Sequence, residues 1–316
     1  MTAPRLGIAI PCYNEEEVLE QSLDKLFVYL DELKQRNVVS QDSFICTVDD
    51  GSADKTWEII ENYGSKNHNL HAVKFSKNFG NQSALLAGMF KCRDFGADCV
   101  VTIDADLQQD ERAIERFIEK YNQGNDIVCG IRKDRKTDSF FKKYTALAFY
   151  KLMTMLGAQI RPNHSDFRLV SRQALDILAT YKEYNLFLRG IFHEFGLQMD
   201  YVYFDVRKRP AGVSKFSTSK LILLALDGVT SFSVIPLRLV TIIGILMWLV
   251  SFGLGVDVLY EKYILHTTLK GWATIVFITC LIGGTQTFCI GIIGEYVARI
   301  YREVKGRPRY IAEKEF

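Results

Sequence analysis

The chain has 316 residues, 48% of them hydrophobic and 24% charged, with a formal net charge of +2. That length suits one large domain plus an appendage, and the apolar share is slightly high for a purely soluble enzyme. A charge so close to balance argues against nucleic acid or another polyanion as partner. Seven cysteines, Cys12, Cys46, Cys92, Cys99, Cys129, Cys280 and Cys289, show neither a C-x-x-C pair nor a zinc-like spacing with histidine. They read as reduced, mostly buried thiols. The first five residues lack the apolar core of a signal peptide.

The first two hundred residues alternate strand and helix signals. Residues 6–10 predict a strand ending at Pro11, and 15–33 carry apolar residues at helical spacing. Further strands are expected at 44–48, 70–75, 99–103 and 127–129, with helices at 53–63, 82–95 and 111–121 between them. This alternation implies an α/β domain with a mostly parallel, helix-covered sheet.

In open α/β sheets, ligands collect beyond the carboxyl ends of strands, and there the sequence places its polar clusters. Pro11, Tyr13, Asn14 and Glu15 follow the first strand, and Asp49, Asp50, Gly51 and Ser52 the second. Glycine permits a tight turn there, and a carboxylate can accept bonds from a base or ribose. Asn78 and Gly80 follow the third strand, and Asp104, Ala105 and Asp106 end the fourth. Asp104 and Asp106 offer hard oxygen ligands suited to Mg²⁺ or Mn²⁺, either of which would neutralise a bound diphosphate. Any one cluster is compatible with ordinary turn chemistry. Four successive strand ends carrying polar groups toward one edge point to a ligand site.

Further along, residues 140–156 are aromatic and aliphatic around Lys142 and Lys143, and suit either a core or a membrane surface. Residues 218–235, with Asp227 the one acidic residue, predict a juxtamembrane amphipathic helix. Residues 239–256 and 271–294 are uncharged, each long enough to cross about 30 Å of hydrocarbon. Two transmembrane helices are therefore expected, a buried hairpin of a soluble core being the alternative. Arg207, Lys208, Arg209, Lys215, Lys220 and Arg238 precede the first, and Arg299, Arg302, Lys305, Arg307 and Arg309 follow the second. The positive-inside rule then places both termini and the α/β domain in the cytoplasm. The expected divisions are the α/β domain over 1–217, the amphipathic helix over 218–235, a transmembrane hairpin over 236–298 and a basic cytoplasmic tail over 299–316.

Several motifs together carry a resemblance. They are Pro11-Cys12-Tyr13-Asn14-Glu15, Val48-Asp49-Asp50-Gly51-Ser52, Asn78-Phe79-Gly80 and Asp104-Ala105-Asp106-Leu107-Gln108. Gly130-Ile131-Arg132-x-x-Arg135, Ser165-Asp166-Phe167-Arg168-Leu169, Ala211-Gly212-Val213-Ser214-Lys215-Phe216 and Gly294-Glu295-Tyr296-x-x-Arg299-Ile300-Tyr301 continue the series. With these motifs the chain resembles, over nearly its whole length, the inverting family-two glycosyltransferases of the GT-A fold. The branch it is most similar to uses polyprenyl-phosphate acceptors and includes bactoprenol glucosyl transferases and dolichyl-phosphate mannose synthase.

The resemblance implies a nucleotide-sugar donor, UDP-glucose first, with UDP-galactose, UDP-N-acetylhexosamine and GDP-mannose as alternatives. It also implies undecaprenyl or another polyprenyl phosphate as acceptor, an integral inner or plasma membrane location, and a homo-oligomer, a tetramer in similar proteins. Asp49 with the 11–15 segment would hold base and ribose. Asp104 and Asp106 would form the donor-side pair with Asp106 the direct metal ligand, and Asp166 falls where the family places its catalytic base. Two departures are Gln109-Asp110, where Asp-Pro is frequent, and Phe216, where Tyr is common. Neither is expected to touch the metal pair.

A phosphomonoester is largely dianionic near neutrality, because its second pKa is about 6, so it needs little deprotonation. Asp166 therefore has two open roles, base or orienting group, beside the plainer one of a turn cap. Arg132, Arg135, Arg168, Arg209 and Lys215 are the candidate cations for the phosphates. A processive polysaccharide synthase would be expected to carry Gln-x-x-Arg-Trp, which is absent from the sequence. A non-catalytic nucleotide-sugar scaffold stays open.

Overall fold

Short apolar strands, each followed by an amphipathic helix, bury both faces of a sheet between helical layers. The computed structural model describes residues 3–132, 164–183, 188–205, 235–264 and 271–316. In chain order the elements are β1 (Leu6–Cys12), α1 (Leu19–Gln35), β2 (Phe44–Asp49), α2 (Thr56–Lys66), β3 (Leu70–Phe75), α3 (Asn81–Asp94), β4 (Cys99–Thr102), α4 (Ala113–Asn122) and β5 (Ile127–Arg132). There follow β6 (His164–Ser171), α5 (Arg172–Thr180), α6 (Leu188–Ile191), a 3₁₀ turn (Phe192–Phe195), β7 (Met199–Phe204), α7 (Ile235–Tyr263), α8 (Trp272–Val304) and β8 (Ala312–Glu315).

The strands form one sheet in the order β7-β5-β6-β4-β1-β2-β3-β8. β4, β1, β2 and β3 run parallel, as do β5 and β7, whereas β6 is antiparallel to β4 and β5, and β8 to β3. This is the mostly parallel, mixed sheet of a GT-A fold. Alternation along β1 sends Ile8 and Ile10 to one face, with Leu19, Leu23, Leu26 and Leu30 of α1, while Ala9 meets Leu85, Leu86 and Met89 of α3 on the other. Each such buried side chain contributes roughly 1.5–3 kcal/mol of transfer free energy. A Cβ on Gly88 would come within 2.9 Å of the Ala9 Cβ, so glycine there lets α3 lie close on the sheet.

The five expected strands and four expected helices are all present, the strand at 70–75 with its expected bounds and the others with shifted ends. β1 runs past Pro11 to Cys12, whose carbonyl accepts the Asp50 N–H at 2.8 Å, so the missing proline donor costs one bond without ending the strand. α1 starts at Leu19, later than 15, because Glu15 and Glu16 give their N–H groups to Thr56 and Asp54. The expected 218–235 and 140–156 segments lie outside the described residues, apart from Ile235.

The described residues fall into two compact units. One contains the sheet and its helices, and it reclaims Pro308–Phe316. Within the span expected as a basic cytoplasmic tail, 299–316, α8 runs to Val304, and β8 pairs with β3 through Val73–Glu315, Lys74–Lys314 and Phe75–Ala312. The tail is not simply basic, since Glu313 and Glu315 pair with Lys74 and Lys91. In the other unit α7 and α8 touch each other. Among the described residues one helical stretch, Leu281–Val304, is long and apolar enough to cross a membrane, and Leu237–Val250 is a shorter apolar one.

Candidate active site

The loops after β1 and β2 are tied together by hydrogen bonds. Asn14, in the left-handed region at φ 52°, donates its N–H to Ser52 Oγ at 2.9 Å and accepts the Ala53 N–H on Oδ1 at 2.9 Å. Gly51 has φ 68°, and a Cβ there would overlap the Lys77–Asn78 backbone, so the turn requires glycine. Asp49 is fully buried: Oδ1 accepts the Ser52 N–H at 3.1 Å, while Oδ2 has no hydrogen-bond partner. Burial pushes its carboxyl up from the ordinary range, against the pull of Ser52. An unsatisfied buried acceptor is costly, and a donor N–H from a nucleotide base would satisfy it. Tyr13 lies exposed at this rim.

Asp50 is differently employed. Its two oxygens accept the Phe79 and Gly80 N–H groups at 2.6 and 3.0 Å, fixing the 76–80 loop at the start of α3. Burial nonetheless pushes this carboxyl up to about 6.

The third cluster forms where antiparallel β6 enters beside β4. Thr102 lies opposite Arg168, and the Thr102 hydroxyl donates to the Asp166 carbonyl. Two residues past Thr102, beyond the end of β4, is Asp104, and two residues back along β6 is Asp166, so this register brings the carboxylates to one edge. Arg132, at the end of β5, joins them there. Burial first, then the charge of Asp166 and less that of Asp106, pushes Asp104 up to about 6, with Arg132 opposing. Leu107 occupies the left-handed region at φ 44°, closing the turn that presents Asp106, whose Oδ1 accepts the Gln108 N–H at 3.2 Å. Ala105 is buried beneath.

Gln109 corrects the sequence expectation that it stands apart from the metal pair. It is buried, its Nε2 donates to Asp104 Oδ2, and its Oε1 has no hydrogen-bond partner. The departure from Asp-Pro was visible in the sequence; that its side chain folds back five residues onto a carboxylate was not. Arg168 is likewise not at the surface. It is 1% exposed and engaged with Asp166. Asn78 is exposed and Gly80 caps α3, both at the same edge as Asp50. Arg135, Arg209 and Lys215 lie outside the described residues.

The carboxylate cluster suits a divalent cation. Burial, and after it the neighbouring carboxylates, lifts Asp104, and a hard cation offsets carboxylates through oxygen ligands. Among the described residues no set of three or more His, Cys, Asp and Glu groups forms a complete cage. Carboxylates completed by a donor's phosphates are the usual arrangement for Mg²⁺.

With this geometry, similarity to known proteins becomes decisive. The family model for glycosyl transferase family 2 matches residues 7–178, which spans every site element from β1 through β6. This chain belongs to that family. The enzyme is a glycosyltransferase, and it is 43% identical over 307 residues to the uncharacterized glycosyltransferase YkoT of Bacillus subtilis, covering 97% of this chain and 90% of the relative. It is 37% identical to the SfII prophage-derived bactoprenol glucosyl transferase of Shigella flexneri, with 98% of each chain covered. A prophage bactoprenol glucosyl transferase homolog of Escherichia coli is 35% identical, covering 98% of this chain and 99% of that one.

Proposed function

We propose that this glycosyltransferase moves glucose from UDP-glucose to undecaprenyl or a similar polyprenyl phosphate, with inversion, at the cytoplasmic face of the membrane. What carries the reading is the end-to-end similarity to bactoprenol glucosyl transferases, apolar C-terminal helices included. The convergence of Asp49, Asp104, Asp106 and Asp166 on one sheet edge supports it.

Asp49 Oδ2 accepts from the base, and the Asn14–Ser52 turn borders the ribose. Mg²⁺ or Mn²⁺ held by Asp106 and Asp104 would supply neutralisation of the leaving diphosphate. Arg132, at the same edge, attracts phosphate oxygens, and Arg135, Arg209 and Lys215 are the further cations for the lipid phosphate. An acceptor phosphate oxygen bonds to the anomeric carbon as the bond from that carbon to the donor's β-phosphate oxygen breaks. Attack from the opposite face turns an α-linked donor into a β-linked lipid product. Asp166 orients the acceptor side of this displacement. Exposed apolar side chains such as Leu239, Ile242, Leu246 and Leu249 on α7 support burial of that helix in lipid.

The test offers the purified full chain a panel of labelled UDP- and GDP-sugars with undecaprenyl phosphate and Mn²⁺, and follows label into a lipid-extractable product. One donor, UDP-glucose, is expected to transfer, with chelator abolishing the product and Asp106→Ala lowering it at least about 100-fold. Binding of UDP-glucose without any lipid-linked product would instead favour the scaffold reading.

A further inference from the structure

Arg168 was expected among the cations that meet a lipid phosphate, and its surroundings say otherwise. Its side chain is 1% exposed. Nη1 donates to the Leu188 carbonyl at 2.7 Å, and Nη2 donates to Asp166 Oδ1 at 2.8 Å and reaches the Ser165 carbonyl at 3.4 Å. The guanidinium carbon sits 5.1 Å from the centre of the Phe192 ring, a cation–π distance. A guanidinium keeps its charge inside a protein and presents its donors in a fixed fork. Three acceptors thus engage both terminal nitrogens of that fork while the Phe192 ring lies against the guanidinium, and meeting a phosphate through those nitrogens would mean breaking buried charge-assisted bonds.

We propose that Arg168 is a positioning residue: it sets the orientation of the Asp166 carboxylate at the transfer site and does not itself contact the acceptor phosphate. The inference rests on the proposed transfer reaction. Its structural basis is the strand register. Asp166 and Arg168 are two residues apart on β6, so their side chains share one face of the strand. Leu188 opens α6, and its N–H lies 3.4 Å from Gln82 Oε1 on α3. Through Arg168, the Asp166 carboxylate is referred to packed elements on that face of the sheet instead of to a loop. Lysine would preserve the charge but not the fork.

Steady-state kinetics of the full-length wild type, Arg168→Lys, Asp166→Asn and the double variant, with UDP-glucose, undecaprenyl phosphate and Mn²⁺, decide it. Arg168→Lys is expected to lower kcat about 10- to 100-fold, the scale of misplacing a reacting group by about an ångström. Its KM for both substrates should stay within about twofold, and adding it to Asp166→Asn should cost less than about threefold more, since the two act as a unit. A rise in the acceptor KM with kcat recovered at saturation, or losses that multiply in the double variant, would overturn the inference and return Arg168 to the phosphate. Should the lysine variant fail to fold, Phe192→Leu removes the supporting ring without touching the charge. A several-fold fall in kcat confined to the Asp166-containing background supports the proposal, and an equal fall in both backgrounds overturns it. A wild type that transfers no sugar strikes the functional reading, whereas a wrong pattern among variants of an active wild type strikes only this one.

Discussion

Asp50 shows a strand-end carboxylate committed to architecture: it buries a charge to hold two backbone N–H groups of the next loop. Burial outweighs those two bonds and lifts the carboxyl to about 6, against 3.8 ordinarily. The folded protein therefore takes up this proton before the unfolded chain does. The stability it contributes is fully present below about pH 4 and is lost as pH rises through about 6. Comparing denaturant unfolding of the detergent-solubilised wild type with Asp50→Asn, the wild type should gain about 1.4 kcal/mol on the variant between pH 7.5 and pH 5. A difference independent of pH would show that the buried charge is not strained. That Asp49, Asp104 and Asp106 stand at or just past strand ends was legible because an apolar run leads directly into Asp49 and into Asp104. The Asp166–Arg168 pair was legible as two polar residues but not as a pair, since two residues apart reads equally as a loop, and the acceptor that decides Arg168's role is the carbonyl of Leu188.

At the scale of elements, β1 to β4 could be read because each apolar run is followed at once by its covering helix, so local periodicity carries the topology. β6 and β8 could not. Both pair antiparallel across long stretches of chain, and β8, Ala-Glu-Lys-Glu, is exposed along its length and bears no hydrophobic pattern. What holds it is edge pairing and anchors at either end. Tyr310 stacks on Phe75 at 4.8 Å between ring centres, Arg309 donates to the Tyr181 and Glu183 carbonyls, and Phe316 packs near Trp57 and over Gly64. The strand also covers the β3 edge, which would otherwise offer unpaired backbone to another chain. Phe316→Ala is expected to cost about 1 kcal/mol and lower Tm by about 2–4 °C. Deleting residues 308–316 should lower Tm by more than about 5 °C and raise light scattering on mild heating. Unchanged melting and scattering after the deletion would mean that the strand is dispensable.

For the whole molecule the question is where the apolar surface of α7 and α8 goes. Leu239, Ile242, Ile245, Leu246, Leu249 and Phe252 on α7, and Ile275, Leu281, Phe288, Ile290 and Ile293 on α8, are all exposed. Apolar side chains left in water forgo about 25 cal/mol per Å², and a helix apolar all round is at home in a large core or a bilayer. Among the described residues Leu281–Val304 is long and apolar enough for a bilayer and Leu237–Val250 is a shorter apolar stretch, and Arg299, Arg302, Lys305, Arg307 and Arg309 follow the uncharged run 271–294, against Lys262 and Lys270 before it. On the proposed reading, in which α7 and α8 both enter the bilayer, that asymmetry predicts a hairpin with its short connection outside and the Val304 end of α8 inside. Single-cysteine labelling with a membrane-impermeant maleimide tests it in cells expressing variants of the chain. Thr267→Cys should react in intact cells, and Lys305→Cys only after permeabilisation. Reaction of Lys305→Cys in intact cells would invert the topology and remove the catalytic domain from its nucleotide-sugar supply. Recovery of the chain in the soluble fraction after cell breakage would reject the hairpin, and with it the presentation of a lipid phosphate to Asp166.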